Sequence, residues 1–186
     1  MAKARKARHG GHESDMQKAV LRYLGSKRSA REIHLAGCIF DVVSYDKSRK
    51  VFKLVECKPA TRPSSIGRTF GQVASYYATV VDGGYQFVEA VSRKLQLSFD
   101  RLMQATHDAT EIHVEFYVAL THEACLKLPL LRSLKQLLPQ VGIIRVKPGG
   151  ACRGNLLVSG KKDKALSTAK PITIRILGTN SVGRQG

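Results

Sequence analysis

The sequence predicts an α/β domain in which a mixed β-sheet is flanked by helices on both faces. Strand-length runs of β-branched and aromatic residues alternate with amphipathic segments, in the order helix, three strands, helices, strand, helix and strand. The chain has 186 residues, of which 43% are hydrophobic, enough to form a core. We expect a flexible basic arm over residues 1–12, an α/β domain over 13–160, and a basic C-terminal extension over 161–186 with a possible edge strand.

The first predicted elements are a helix, a strand and a β-hairpin. Apolar residues recur at helical spacing from Glu13 to Leu24, and a strand over residues 31–36 follows. Residues 39–45 and 51–57 are strand-like runs separated by a polar turn, which predicts a hairpin.

The register of this hairpin decides which side chains share a face. A turn centred on Ser48 and Arg49 places three pairs of residues opposite each other. These pairs are Tyr45 with Phe52, Val43 with Leu54, and Asp41 with Glu56. Side chains on a strand repeat every second residue, so all three pairs would lie on one face, together with Lys58.

Asp41 and Glu56 would then be two carboxylates about 4.5–5.5 Å apart at their Cβ atoms, a destabilising arrangement for like charges. Such a pair usually shares a proton or binds a metal ion. The alternative is an ordinary edge strand with a surface ion pair between Lys58 and Glu56.

The remaining elements are bounded by Gly, Pro or polar residues. In order we expect a helix over about 65–81, one or two core-packing helices over 88–103, a strand over 111–120, a helix capped by Thr121 that continues to about 138, a strand over 141–146, a turn at 147–150, a paired strand over 152–159, a polar segment over 161–170, and a strand over 171–177.

The composition favours a polyanionic partner. The chain has 31 Lys and Arg against 14 Asp and Glu, a net charge of +17. Its four cysteines are scattered without a Cys-x-x-Cys motif, which disfavours zinc ribbons and disulfide frameworks. The sequence shows neither an apolar stretch of membrane-spanning length nor a secretory signal, so we expect a cytoplasmic or other intracellular location and no membrane partner.

Several of these residues together resemble the PD-(D/E)XK nuclease superfamily, which has the restriction-endonuclease-like fold. The matching residues are Phe40-Asp41, then Glu56-Cys57-Lys58, then Gln72 and Tyr76 in the helix Phe70–Tyr77. Glu13 fits the place of an acidic residue on the first helix. Phe40 stands where a proline is usual. The resemblance covers roughly residues 13 to 80.

The resemblance implies a set of roles around one metal ion. Asp41, Glu56 and the backbone carbonyl of Cys57 would hold Mg²⁺ or Mn²⁺, and Lys58 would orient the attacking water or stabilise developing charge. Glu13 could reach the metal through a water or support a second ion.

Three further groups are assigned around this site. Gln72 and Tyr76 lie one helical turn apart and could steady the site or contact a phosphate; the alternative is a core-packing Tyr76 and a solvated Gln72. Arg62 and Arg68 are close to the site in sequence and could bind phosphates, or be solvated charges.

The leading hypothesis is a metal-dependent endonuclease that hydrolyses DNA; the resemblance implies that it could work as a homodimer. One alternative is a catalytically silent nucleic-acid-binding module of the same fold. The other is a basic, RNA-associated structural protein.

Overall fold

The computed structural model describes residues 3–24, 28–59, 62–104, 111–147, 152–153, 156–158, 161–163 and 168–176. The mixed α/β class is confirmed. The helices are α1 (Lys3–Leu24), α2 (Pro63–Asp82), α3 (Gly84–Leu95), α4 (Phe99–Gln104), α5 (His122–Cys125) and α6 (Leu128–Leu137). The strands are β1 (Ser29–Leu35), β2 (Cys38–Asp46), β3 (Val51–Lys58), β4 (Glu111–Thr121), β5 (Gly142–Val146), β6 (Cys152–Arg153), β7 (Leu156–Val158), β8 (Lys161–Asp163) and β9 (Ile172–Arg175).

Seven strands form one sheet. Six of them follow the order β1-β2-β3-β4-β5-β6, and the seventh, β9, pairs with β4. The first three strands are an antiparallel meander, whereas β3, β4 and β5 run parallel. Strands β6 and β9 pair antiparallel with β5 and β4. Strands β7 and β8 form a separate two-stranded sheet.

Alternate residues of β2 and β3 pack into two separate cores. Val43 and Leu54 belong to a large core shared with α2, α3 and α6, whereas Val42 and Val55 pack with α1. Because successive side chains of a strand point to opposite faces, the sheet has helices on both sides.

The predicted hairpin register is confirmed. Val43 faces Leu54, and Tyr45 faces Phe52. Asp46 Oδ1 stabilises the turn, because it accepts hydrogen bonds from Ser48 Oγ at 2.7 Å and from the Arg49 backbone N–H at 3.2 Å. The sequence therefore defines the alignment of the two strands that carry Asp41 and Glu56.

Helix boundaries differ from the prediction at two places. Helix α1 begins at Lys3 rather than at Glu13, so residues 3–12, which were expected to be a flexible arm, are helical. Ala, Lys and Arg, frequent there, are strong helix formers. The helix expected from Thr121 to 138 is split into α5 and α6, because Pro129 starts a new helix. Thr121 caps α5, as predicted.

The C-terminal segment completes the sheet. Strand β9 pairs with the first half of β4, and Ile174 and Ile176 are buried in the large core. Residues 172–175, predicted as a strand within the C-terminal extension, are thus part of the central sheet. Strand β8 lies within the segment predicted to be polar and irregular. Residues 148–150 of the predicted turn at 147–150, and residues 177–186, lie outside the described residues.

None of the helices in the described ranges combines the length and apolar character required to cross a bilayer.

Candidate active site

Asp41 and Glu56 lie at a cleft of about 430 Å³ between α1, the first three strands and α2. The two acids are supplied by adjacent strands whose hydrogen-bonded ladder ends at the pair Val42 and Val55. The other lining residues come from five elements: Glu13, Ser14 and Gln17 from α1, Glu32 and His34 from β1, Ile39 from β2, Lys58 from β3, and Gln72 and Tyr76 from α2.

Asp41 is held in a single orientation by two donors. Its side chain is buried, with 8% of the residue exposed. Oδ2 accepts a hydrogen bond of 2.7 Å from the backbone N–H of Cys57, and Oδ1 accepts one of 3.3 Å from Gln17 Nε2. The carboxylate thus replaces a backbone acceptor just beyond the last ladder pair. Desolvation raises the pKa of Asp41, although the Cys57 N–H, the Glu56 hydrogen bond and the Lys58 charge oppose this.

Glu56 is more deeply buried, with 2% of the residue exposed. The Tyr76 hydroxyl donates to its Oε2 and also lies 2.5 Å from the backbone oxygen of Ile39. Desolvation, followed by the negative charge of Asp41, raises the pKa of Glu56 to about 8. Burial beside Asp41 therefore favours the protonated form of this side chain, and additional positive charge would favour its ionised form.

The side chains of Asp41 and Glu56 are in hydrogen-bond contact, so the two carboxyl groups can share a proton. Lys58 is close enough to lower the pKa values of Asp41 and Glu56. The structure therefore brings together the acid pair and the lysine on one side of the sheet. This is the arrangement that the hairpin register predicts.

Two more acids face the same cleft. Glu13 has a raised pKa, caused first by desolvation and then by Asp41, whereas Lys58 lowers it and Glu32 raises it again. Glu32 and His34 of β1 were missed in the sequence analysis. They alternate along one strand that pairs with β2, but the local sequence does not show which face of β1 meets the cleft.

Gln17 is the other residue that the sequence analysis missed. It is one helical turn from Glu13, so the i,i+4 spacing on α1 is the signal that could have identified it. Gln17 is 4% exposed, and its Oε1 has no hydrogen-bond partner.

The predicted helix residues are in different surroundings. Gln72 is exposed and lines the cleft. Tyr76 is buried and hydrogen-bonded to Glu56, which fits a steadying role rather than the phosphate contact assigned to it, because its hydroxyl is already engaged. Arg62 and Arg68 are exposed near the start of α2 but do not line the cleft, so their phosphate-binding role stays a prediction.

The donor set fits Mg²⁺ or Mn²⁺, which prefer oxygen ligands. Asp41 and Glu56 supply carboxylate oxygens, and the pKa of Glu56 is raised first by burial and then by the negative charge of Asp41. Among the described residues, no group of three or more His, Cys, Asp or Glu side chains converges to hold a metal by itself. Two carboxylates suffice for Mg²⁺, since it usually keeps several waters. The Cys57 carbonyl as third ligand stays a prediction.

Comparison with protein-family models, with curated proteins and with solved structures found no match for this chain. The superfamily assignment therefore stays a prediction, based on the residues named above.

Proposed function

We propose that this protein is an endonuclease that hydrolyses phosphodiester bonds of DNA and depends on Mg²⁺ or Mn²⁺. The main support is the burial of Asp41 and Glu56 side by side at an open cleft that also contains Lys58. Two acids in contact destabilise a fold unless they share a proton or bind a cation. Such perturbed carboxyl groups in a cleft are typical of catalytic sites.

The charge of the chain supports a nucleic acid as substrate. A net charge of +17 attracts a phosphate backbone through the release of counterions. The cleft itself has the opposite character, because Glu13, Glu32, Asp41 and Glu56 surround a single described ammonium, Lys58. A phosphate would be repelled there unless a divalent cation compensated the acids, and this links the substrate to the metal requirement.

The residues at the cleft would divide the reaction among them. Asp41, Glu56 and the Cys57 carbonyl would bind the cation, which supplies Lewis acidity and lowers the pKa of a water. Lys58 would orient the attacking water or stabilise the negative charge that develops on the phosphate. As water adds to phosphorus and releases a proton to solvent, the opposite ester P–O bond breaks, and the departing oxygen takes a proton from solvent. The Tyr76 hydroxyl would keep Glu56 in place.

Nicking of supercoiled plasmid tests the proposal. The native chain should nick the plasmid with Mg²⁺ or Mn²⁺ and not with EDTA. Asp41→Ala and Lys58→Ala should abolish nicking while folding and DNA binding persist. Asp82→Ala, at an exposed position at the end of α2, is the matched control and should behave like the native chain. Full activity of Asp41→Ala or Lys58→Ala would refute the mechanism.

The same assay separates the other two hypotheses. DNA binding without metal-dependent nicking would favour a catalytically silent module. Preference for structured RNA, together with no effect of Glu56→Gln, would favour a structural RNA-associated protein. A panel of linear, nicked, flapped and four-way-junction DNAs would then identify the preferred substrate.

A further inference from the structure

Gln17 is a polar side chain at an otherwise apolar position of α1. Its neighbours on the helix, Met16, Ala19 and Val20, are buried in the smaller core. Gln17 is 4% exposed and lies at the wall of the cleft. Its Nε2 donates to Asp41 Oδ1 at 3.3 Å, whereas its Oε1 accepts no hydrogen bond.

A buried amide oxygen without a donor is unusual, because buried polar groups of native proteins are nearly always paired. An apolar side chain of similar size would fill the same volume without this deficit. The orphan oxygen therefore points to a donor that enters the cleft from outside the chain.

The contact with Asp41 fixes the orientation of the Gln17 amide. An amide group has a donor end and an acceptor end, and turning it over would place Oε1 against the Asp41 carboxylate. Oε1 is therefore a hydrogen-bond acceptor on the amide that contacts Asp41, the side chain proposed to bind the cation. A water polarised by a bound divalent cation is a strong donor, and Mg²⁺ and Mn²⁺ keep such waters when few protein ligands are available.

We propose that Gln17 is a positioning residue for the metal site: Nε2 orients Asp41 Oδ1, and Oε1 accepts a hydrogen bond from a water in the hydration shell of the cation. This inference rests on the proposed function and assigns a second-sphere partner from α1 to a site otherwise built from β2 and β3. Through Gln17, the position of α1 would affect the binding of the cation.

A titration of the full chain with Mn²⁺ in the absence of DNA tests the inference independently of cleavage. The EPR signal of free Mn²⁺ measures how much of the ion is bound. Gln17→Met removes the donor and the acceptor while keeping the length of the side chain. We expect its affinity for Mn²⁺ to be at least about tenfold lower than that of the native chain. This loss is typical when a residue that orients a metal ligand is removed. Gln86→Met, the same change at an exposed position of α3, should retain native affinity. Native affinity of Gln17→Met would overturn the inference.

Thermal unfolding in EDTA separates this role from simple packing. Gln17→Met should unfold at the native temperature or above, because the variant no longer buries an unpaired carbonyl oxygen. A lower unfolding temperature together with native Mn²⁺ affinity would show that Gln17 only packs α1 against the sheet, and would overturn the inference.

Gln17→Glu provides a second variant that keeps an acceptor oxygen at the same distance. We expect it to bind Mn²⁺ at least as tightly as the native chain and to gain more thermal stability from Mn²⁺, since the cation compensates the added acid. Binding as weak as that of Gln17→Met would contradict the acceptor role.

Asp41→Asn distinguishes failure of the inference from failure of the proposed function. Native Mn²⁺ affinity in Asp41→Asn would show that Asp41 does not bind the cation, and this would contradict both the proposed function and the role of Gln17. Loss of binding in Asp41→Asn with native binding in Gln17→Met would overturn the role of Gln17 alone.

Discussion

Two glutamates on neighbouring strands, Glu56 of β3 and Glu115 of β4, are almost equally buried but have opposite surroundings. They are 2% and 1% exposed. Glu115 accepts hydrogen bonds from the Arg49 guanidinium and, at 2.8 Å, from the Tyr117 hydroxyl. Glu56 also accepts from a tyrosine, but the side chain hydrogen-bonded to it from the adjacent strand is another acid, Asp41.

The difference shows that burial alone does not distinguish a functional acid from a structural one. Glu115 has a cation supplied by the fold, and in return it raises the pKa of Arg49. Lys58 lowers the pKa values of three acids, Glu56, Asp41 and Glu13. One lysine among the described residues therefore has to compensate three acids. This mismatch is what makes the cleft, and not the Arg49 pair, the candidate for metal binding.

The sharpest test of the comparison is Glu56→Gln. We expect cleavage to fall by at least about 10²–10³-fold, as for the loss of one preorganised charge-stabilising group. The free energy of unfolding should not fall, because the substitution removes an acid from a buried acid pair. Cleavage rates and urea denaturation of the same preparation measure both quantities. Native cleavage by this variant would remove the distinction between the two glutamates.

Glu115→Gln should show the reverse pattern. It leaves the partly exposed Arg49 without its acid, so we expect a loss of about 1–3 kcal/mol in the free energy of unfolding, the range for hydrogen bonds to charged groups. Cleavage by the folded variant should stay native, since Glu115 does not line the cleft. Urea denaturation and plasmid nicking check the two statements. An intact stability with reduced cleavage would reverse the assignment of the two acids.

Tyr76→Phe sharpens the comparison by removing only the hydroxyl that contacts Glu56. The ring packs on Phe40 at a centroid distance of 4.6 Å, and this packing should persist. We expect a loss of about 1 kcal/mol in stability and a decrease of about tenfold in Mn²⁺ affinity. Tyr77→Phe, at the next and more exposed position of α2, is the control. Equal Mn²⁺ affinity in both variants would mean that Tyr76 does not position Glu56.

Asp46 is a third acid to compare with Glu56 and Glu115. It is only partly buried and forms an ion pair with Lys53. Its contact with Lys53 Nζ at 2.8 Å holds the pKa of Asp46 well below its usual range. The stabilisation is therefore present above the ordinary pKa of 3.8 and is lost as the pH falls below it. Asp46→Asn should lower the free energy of unfolding by about 0.5–1 kcal/mol at pH 7, and urea denaturation should show this difference shrinking at acid pH. A difference independent of pH would contradict the ion pair.

The hairpin was predictable because its information is local. Alternating β-branched and aromatic residues define the faces, and the polar turn at 46–50 defines the register, so Asp41, Glu56 and Lys58 could be placed together without a structure. The return of β9 to β4 carries no local signal, since its partners lie about sixty residues earlier in the chain.

The walls of the cleft were harder to predict for the same reason. Glu32 and His34 reach the site only through the pairing of β1 with β2, and Gln17 only through the packing of α1 on the sheet. Arg62 and Arg68 show that proximity in sequence to Lys58 does not make a residue line the cleft, because helix side chains point in all directions around the axis. Their phosphate-binding role stays a prediction.

The pairing of β9 with the first half of β4 has a consequence for biosynthesis. A nascent chain can form the hairpin and the β3–β4 pairing early, but one side of residues 111–114 stays open until residues 172–175 have left the ribosome. An open strand edge with unpaired N–H and C=O groups is prone to association with other chains. Chaperone dependence and aggregation of chains shortened before residue 172 should therefore exceed those of the 186-residue chain.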